Sequence, residues 1–271
     1  MTRNKISYGN LQAFLNELYP QSLAESWDKV GNHFGQASDS VKKILVALEL
    51  RPQVIQEAID LGIDTIVMHH PPIFHGINRF DYADPEVAMY AELIKHDIKV
   101  FALHTNLDVA PNGMNDWLAQ ALDLEDIQAV TPDEVSGNPG LARMGHFSQP
   151  LTRTQVLAKI KSAFKVDSLT YMESQEKPAY QSLAVIGGAG GSELEDIKAS
   201  GVDVFVTGDI SHHVGHQALD TGMLVVDASH YIEAIFIEKM TDILEKAKIK
   251  KQWAVTIQAS KANTNPFQYF N

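Results

Sequence analysis

Short apolar runs alternate with amphipathic stretches along most of the chain. Residues 10–19 carry a helical period, 43–49 read as a strand, and 52–61 as a helix opening at Pro52. Residues 64–68 form a strand with no charge after Asp64. A helix over 85–96 leads to a strand at 98–103 and a helix near 113–122. Residues 124–150, with Pro132, Gly137, Pro139, Gly140 and Pro150, predict a connector with little regular structure. After it the pattern predicts a helix at 152–164, strands near 168–172 and 180–186, and a helix at 192–200. A strand at 203–206, a helix at 211–221, a strand at 223–226, a helix at 231–247 and a strand at 252–258 follow. This alternation predicts an α/β protein with largely parallel central strands.

The pattern also repeats. A shift of 139 residues aligns Val46 with Val185, Gly62 with Gly201, Asp64 with Asp203 and Val67 with Val206, without a gap. Read as a duplication, it predicts two similar, intimately packed α/β lobes, about 1–125 and 150–271, facing each other across one site. Read as coincidence, it reflects the rhythm that every βαβ unit shares. The choice is open at this point.

Composition narrows the chemistry more than the fold. The 271 residues are 45% hydrophobic and 21% charged, ordinary for a globular chain. With 22 basic and 34 acidic residues the formal charge is −12, and no basic run exceeds a pair. Nonspecific binding to a nucleic-acid backbone, which needs clustered Lys and Arg, is therefore disfavoured. There is no cysteine, so any metal must be held by His, Asp or Glu. No apolar run approaches the roughly 20 residues of a membrane span, and the first ten residues lack an apolar signal core. The expected location is the cytoplasm.

Three strand ends concentrate ligand types. His69-His70-Pro71-Pro72 ends the strand at 64–68, and His104-Thr105-Asn106-Leu107-Asp108 follows the strand at 98–103. Asp227-Ala228-Ser229-His230-Tyr231-Ile232-Glu233 follows the strand at 223–226. The carboxyl ends of parallel strands are where open α/β sheets build their sites. Adjacent residues leaving a strand point apart, so His69 and His70 suit two metals better than one chelate. His230 and Glu233, three apart at a helix start, share one face. A single strand-end histidine is ordinarily structural, and Asp108 and Asp227 could serve only as helix caps. The combination favours a metal site.

Other features are less committed. Gly187-Gly188-Ala189-Gly190-Gly191-Ser192 follows a strand and opens a helix. It fits either an anion cradle or a tight turn for close packing. In Thr207-Gly208-Asp209-Ile210-Ser211-His212-His213, His213 suits a proton carrier or an anion contact, and His212 and His216 suit a helix surface. Gly31-Asn32-His33 and Gly208-Asp209 are fragments of the calcineurin-like metallophosphoesterase signature. Their order is reversed, and that reading fails.

Taken in order, these blocks resemble the Nif-three-like, YbgI-type dinuclear-metal family, whose members are often called GTP cyclohydrolase I type 2-like. The resemblance runs through Trp27-Asp28-x-Val30-Gly31, His69-His70-Pro71-x-Ile73-Phe74, His104-Thr105-Asn106-Leu107-Asp108, the Gly187–Ser192 loop, Thr207-Gly208-Asp209-Ile210 with His213, and Asp227-x-x-His230-Tyr231-x-Glu233. It implies a single domain of two lobes with the metal site between them, without the inserted middle domain of longer members. It further implies a homohexameric ring, a trimer of dimers, with two divalent ions per subunit. Its ligands would be His69, His70, Asp108, His230 and Glu233. Departures are Lys29 for a common Asn, Asn32 for a common Leu, Ser229 for the usual Gly, and a His-to-Glu spacing of three where some members have four.

The expected function is metal-dependent hydrolysis of a small molecule, with His104 or His213 as general base or orienting group. Three His and two carboxylates suit Zn, Fe, Mn or Ni. The competing reading is a non-enzymatic metal-binding scaffold or regulatory partner. Five protein ligands for two ions leave positions open, which favours catalysis.

Overall fold

A computed structural model describes residues 4–130 and 140–270. The chain divides into two compact units, Met1–Leu107 with Phe236–Thr264, and Asp108–Ile235 with Asn265–Asn271.

The first unit begins with β1 (Ile6–Ser7) and α1 (Tyr8–Leu18), then β2 (Gly31–Phe34), β3 (Ser40–Val41), β4 (Lys43–Ala47) and α2 (Pro52–Leu61). β5 (Thr65–Met68), α3 (Pro85–Lys95), β6 (Lys99–Ala102) and the short α4 (Thr105–Val109) follow, and the unit boundary falls within α4. The second unit contains α5 (Met114–Ala121), β7 (Glu125–Ala129), β8 (Arg143–Leu151), α6 (Arg153–Phe164), β9 (Thr170–Met172), β10 (Tyr180–Val185) and α7 (Leu194–Ala199). β11 (Val204–Thr207), α8 (His212–Leu219) and β12 (Leu224–Asp227) complete it. The chain then returns to the first unit through α9 (Ile235–Lys251) and β13 (Thr256–Ala259).

The first unit's main sheet has the order β13-β4-β5-β6-β2, parallel except for β2 at its edge. The second has the order β7-β8-β10-β11-β12-β9, in which β10, β11 and β12 are parallel and the other three antiparallel. Two mixed sheets with parallel centres are the α/β architecture that the alternation predicts. The central strands are uninterrupted apolar runs because both faces are covered. Leu45, Ala47, Ile66, Met68, Val100 and Ala102 pack with Val54, Ile55 and Ala58 of α2 and Tyr90 and Leu93 of α3. Ala184, Phe205 and Val225 pack with Leu194 and Ile197 of α7 and Ala218 of α8.

The 139-residue repeat is structural. β5 spans 65–68 and β11 spans 204–207, the same residues under the shift. Gly62 and Gly201 both turn left-handed, at φ 63° and 76°, where the preceding helix ends and a side chain would be strained. Asp64 accepts the backbone N–H groups of Lys42 and Lys43. Asp203 accepts those of Gln181 and Ser182, the shifted pair. The edge strands correspond as well, β2 starting at 31 and β9 at 170, each antiparallel to the third central strand.

Two expectations are corrected. The stretch 124–150 carries β7 and β8, a two-strand edge in which Arg143, Gly145 and Phe147 alternate inward. Its prolines and glycines mask that alternation, and Pro132, Gly137 and Pro139 lie outside the described residues. The division at that connector also differs from the one observed. β13 pairs in parallel with β4, so the last strand closes the first sheet and not the second. Among the described residues no helix is long and apolar enough to cross a membrane.

Candidate metal centre

In the first unit the ends of β5 and β6 bring three imidazoles together. The ring centroids of His69 and His70 lie 4.9 Å apart, those of His69 and His104 5.2 Å, and those of His70 and His104 5.7 Å. One nitrogen from each lies within 4.8 Å of the other two. His69 is fully buried and packs on Phe236, whereas His70 and His104 are half-buried. The backbone N–H groups of His69 and His70 both donate to the Leu48 carbonyl, which fixes the turn that leaves β5.

Each ring is oriented from behind. His69 Nδ1 lies 2.7 Å from the Leu103 carbonyl, an acceptor only. That contact requires Nδ1–H, so Nε2 carries the lone pair. His104 Nδ1 likewise donates to Asp28 at 2.9 Å. His70 Nδ1 is 3.6 Å from Glu49 Oε2, within ion-pair reach. Burial works to raise the Glu49 carboxyl, yet His70 and Thr264 overcome it and hold it lowered. Trp27, half exposed, stands edge-on to His104 at 6.1 Å and tilts against Phe74 at 5.8 Å.

The second unit repeats the device. His230 sits in the short turn His230–Ala234 after β12, with Nδ1 2.7 Å from Asp209 and Nε2 3.1 Å from Glu233. Glu233 is buried, and the Gly187 loop packs directly on it. A Cβ at Gly188 would lie 2.8 Å from Glu233 Oε1 and 3.3 Å from His230 Nε2, and Gly188 has φ +65°. Protein groups take up part of the loop's backbone. Gly190 N–H donates to Thr207 Oγ1, and Gly208 N–H and Thr207 Oγ1 donate to the Gly188 carbonyl. The loop packs closely on Glu233 and His230, as the tight-turn reading expects.

Asp108 is buried on α4. Asn115, fully buried, donates to its carbonyl at 3.1 Å and accepts Gly187 N–H at 2.7 Å. The backbone of Asp108 and the loop over Glu233 therefore share one amide side chain. Asp227 accepts the N–H groups of Ile210 and Ser229, a structural task. His213 is exposed on the first turn of α8, its ring 5.9 Å from His212, and belongs to none of the three-ligand groups among the described residues.

The donor set fits divalent metal. Two donors about 2.0–2.2 Å from one ion, at angles near 90–110°, stand about 2.9–3.5 Å apart, which the His230–Glu233 separation matches. Imidazoles with Nδ1 committed to an acceptor, so that Nε2 can face an ion, are the usual metal-ligand form. Asp28, Glu49 and Asp209 behind the rings, and Asn115 beside Asp108, carry no assignment from sequence. Asp28 and Asp209 stand in singled-out motifs, but the contact partner of each is remote along the chain.

Ser229 explains its own departure from the usual glycine. It adopts φ 73°, ψ 147°, a conformation ordinarily reserved for glycine, and its Oγ accepts Tyr231 N–H at 3.2 Å. Ser229→Gly is expected to stabilise the chain by about 1 kcal/mol, the relieved strain exceeding the lost, part-buried hydrogen bond. Urea unfolding checks this, and a lower midpoint in the variant would show the serine to be unstrained.

Comparison with known proteins shows the family and the fold. The family model described as Duf34/NIF3 (NGG1p interacting factor 3) matches residues 6–266. A "GTP cyclohydrolase 1 type 2 homolog" of Streptococcus pneumoniae is 37% identical over 253 residues, 92% of this chain and 94% of the relative. A relative of the same name from Lactococcus lactis is 34% identical over 251 residues, 92% of this chain and 93% of its own. Among solved structures, a hypothetical protein of Staphylococcus aureus has a TM-score of 0.92 at 29% identity, covering 98% of this chain and all of its own. The protein ybgI, of unknown function, shares the fold with a TM-score of 0.81 at 20% identity, over 93% of this chain and 97% of its own.

Proposed function

Taking as premise that the chain belongs to the Duf34/NIF3 family, we propose that it is a metal-dependent hydrolase with two divalent ions per chain. His69, His70, Asp108, His230 and Glu233 are the ligands in this reading. The observation that carries it is the shared preparation of the ligands His69 and His230, each with Nδ1 on an acceptor, as is Nδ1 of the base His104. That preparation leaves Nε2 as the donor atom.

Bound ions would supply Lewis-acid polarisation of the scissile bond and lower the pKa of attacking water. The chain's own part is proton handling and orientation. His104 takes up at Nε2 the proton that the attacking water loses, while Asp28 holds Nδ1–H and stabilises the charged ring. Trp27 and Phe74 offer an exposed aromatic surface beside that ring for a planar substrate group. The relatives' name makes GTP the first substrate to assay. The working form in this reading is the hexameric ring, with a solution mass six times the 30.0 kDa of the chain.

The test is metal content followed by turnover. Loaded protein is expected to hold two ions per chain, and His69→Ala plus His70→Ala fewer than one. A hydrolase screen over nucleotides beginning with GTP, phosphoesters and cyclic amides is expected to find an activity that Asp108→Ala reduces at least about 100-fold. Fewer than one ion per chain in loaded wild type, or activity surviving in Asp108→Ala, overturns the centre. Full loading with no turnover across the screen would leave the scaffold reading in its place.

A further inference from the structure

Three of the histidines that the centre above does not use, His212, His213 and His216, are exposed together on α8. His212 and His216 are one helical turn apart, where side chains meet. Their Nε2 atoms lie 3.2 Å apart, with ring centroids at 4.7 Å and planes at 83°. Between two neutral imidazoles such a contact accommodates one proton, Nε2–H of one ring facing the lone pair of the other. The same separation is the span of two nitrogens on a single ion, about 2.9–3.4 Å for metal–nitrogen bonds of about 2.0–2.1 Å. Replacing the shared proton by an ion requires only that one ring move its hydrogen to Nδ1.

We propose that His212 and His216 form a second transition-metal site, a two-imidazole chelate on the surface of α8. Its occupant is an imidazole-preferring divalent ion, with Cu(II) bound more tightly than Ni(II), and with Mg(II) and Ca(II) not retained. Two protein donors leave the remaining positions to water or to a donor group on a ligand, so the site is open. His213 is adjacent in sequence to His212, and neighbouring positions on a helix do not face each other, so it is outside the chelate. The geometry stands independently of the dinuclear reading.

Ni(II) is the probe, read by calorimetry and thermal unfolding. The full chain is titrated both unaltered and with His69→Ala plus His70→Ala, so that either background reports the α8 site. Comparison with His212→Ala and His216→Ala isolates one ion per chain. Each single variant is expected to weaken that ion at least tenfold, with the double variant no weaker than either. Ni(II) should raise the melting temperature only where both histidines are present, because the chelate exists only on the folded helix. A stricter variant keeps the histidine count but breaks the spacing: His216→Ala plus Asp220→His, which moves the second imidazole to an exposed position about two turns from both His212 and His213. Loss of the ion in that variant supports the chelate. Retention of the ion there, or in either single alanine variant, overturns it in favour of unspecific surface binding.

Discussion

Asp28→Ala is expected to cost about 3–5 kcal/mol of stability, the range for removing one partner from a buried charged network. The Asp28 side chain is fully buried, with Oδ1 accepting from His104 Nδ1 at 2.9 Å. Oδ2 accepts Thr105 N–H at 3.0 Å and the Thr105 hydroxyl at 2.5 Å. Burial works to raise this carboxyl, but the bonds from His104 and Thr105 overcome it and hold it well below the usual carboxylate range. Lys29 N–H also donates to Oδ1, at 2.7 Å, so alanine strands four donors. Asp28→Asn keeps the shape and changes the chemistry, because an amide offers one acceptor and one donor. If its –NH2 faces His104, the ring must turn to the Nε2–H tautomer. Nitrogen-15 NMR of the metal-free chain is expected to show that switch, with a smaller loss in urea midpoint than in the alanine variant. Under the proposed mechanism hydrolytic turnover falls about 10²–10⁴-fold in Asp28→Asn while metal content is kept. A variant that keeps the wild-type tautomer would remove Asp28 from control of that ring.

Most of the site was legible because its ligand types sit at strand ends. The continuous apolar runs before His69 and His104 define buried parallel strands, and chemistry after such strands faces the carboxyl edge of a sheet. The residues behind the imidazoles were not legible. Asp28 lies 76 positions from His104 and Asp209 lies 21 from His230, and neither pairing has a periodicity to announce it. Glu49 falls at the end of an apolar strand like any solvent-facing acid. In the fold, β7 and β8 were hidden because Gly145 and Pro150 punctuate loops elsewhere, whereas here Pro150 sits in the part of β8 beyond His146, where β7 no longer pairs and the register with β10 shifts. The return of the chain to the first sheet was hidden for another reason. A parallel partner can come from anywhere along the sequence, and nothing in the strand 256–259 itself names β4.

The duplicated aspartate bears on stability as well as ancestry. Asp203→Asn is expected to lower stability by about 2 kcal/mol at pH 7, the range for hydrogen bonds to a charged group. Asp203 Oδ2 takes Gln181 N–H at 2.9 Å, with Ser182 N–H and Oγ both at 3.2 Å, and Lys177 reaches Oδ1 at 2.8 Å. It thereby fixes the start of β10 against the turn that feeds β11, as Asp64 does for β4 and β5. Burial acts to raise the Asp203 carboxyl, and the Lys177 bond and the two backbone N–H groups outweigh it, so its pKa is lowered. The sign of the pH effect follows. A carboxyl whose folded value lies below its unfolded one contributes fully above the unfolded value, near 3.9, and loses that contribution as pH falls through the folded value. Urea unfolding of the metal-free chain should therefore show a gap between wild type and Asp203→Asn that is constant from neutral pH down to about 5. The gap should narrow below pH 4, where the wild-type carboxyl is itself protonated. A gap unchanged in acid would mean that the side chain acts through shape alone, and that its repetition at Asp64 preserves a turn geometry and not a charge.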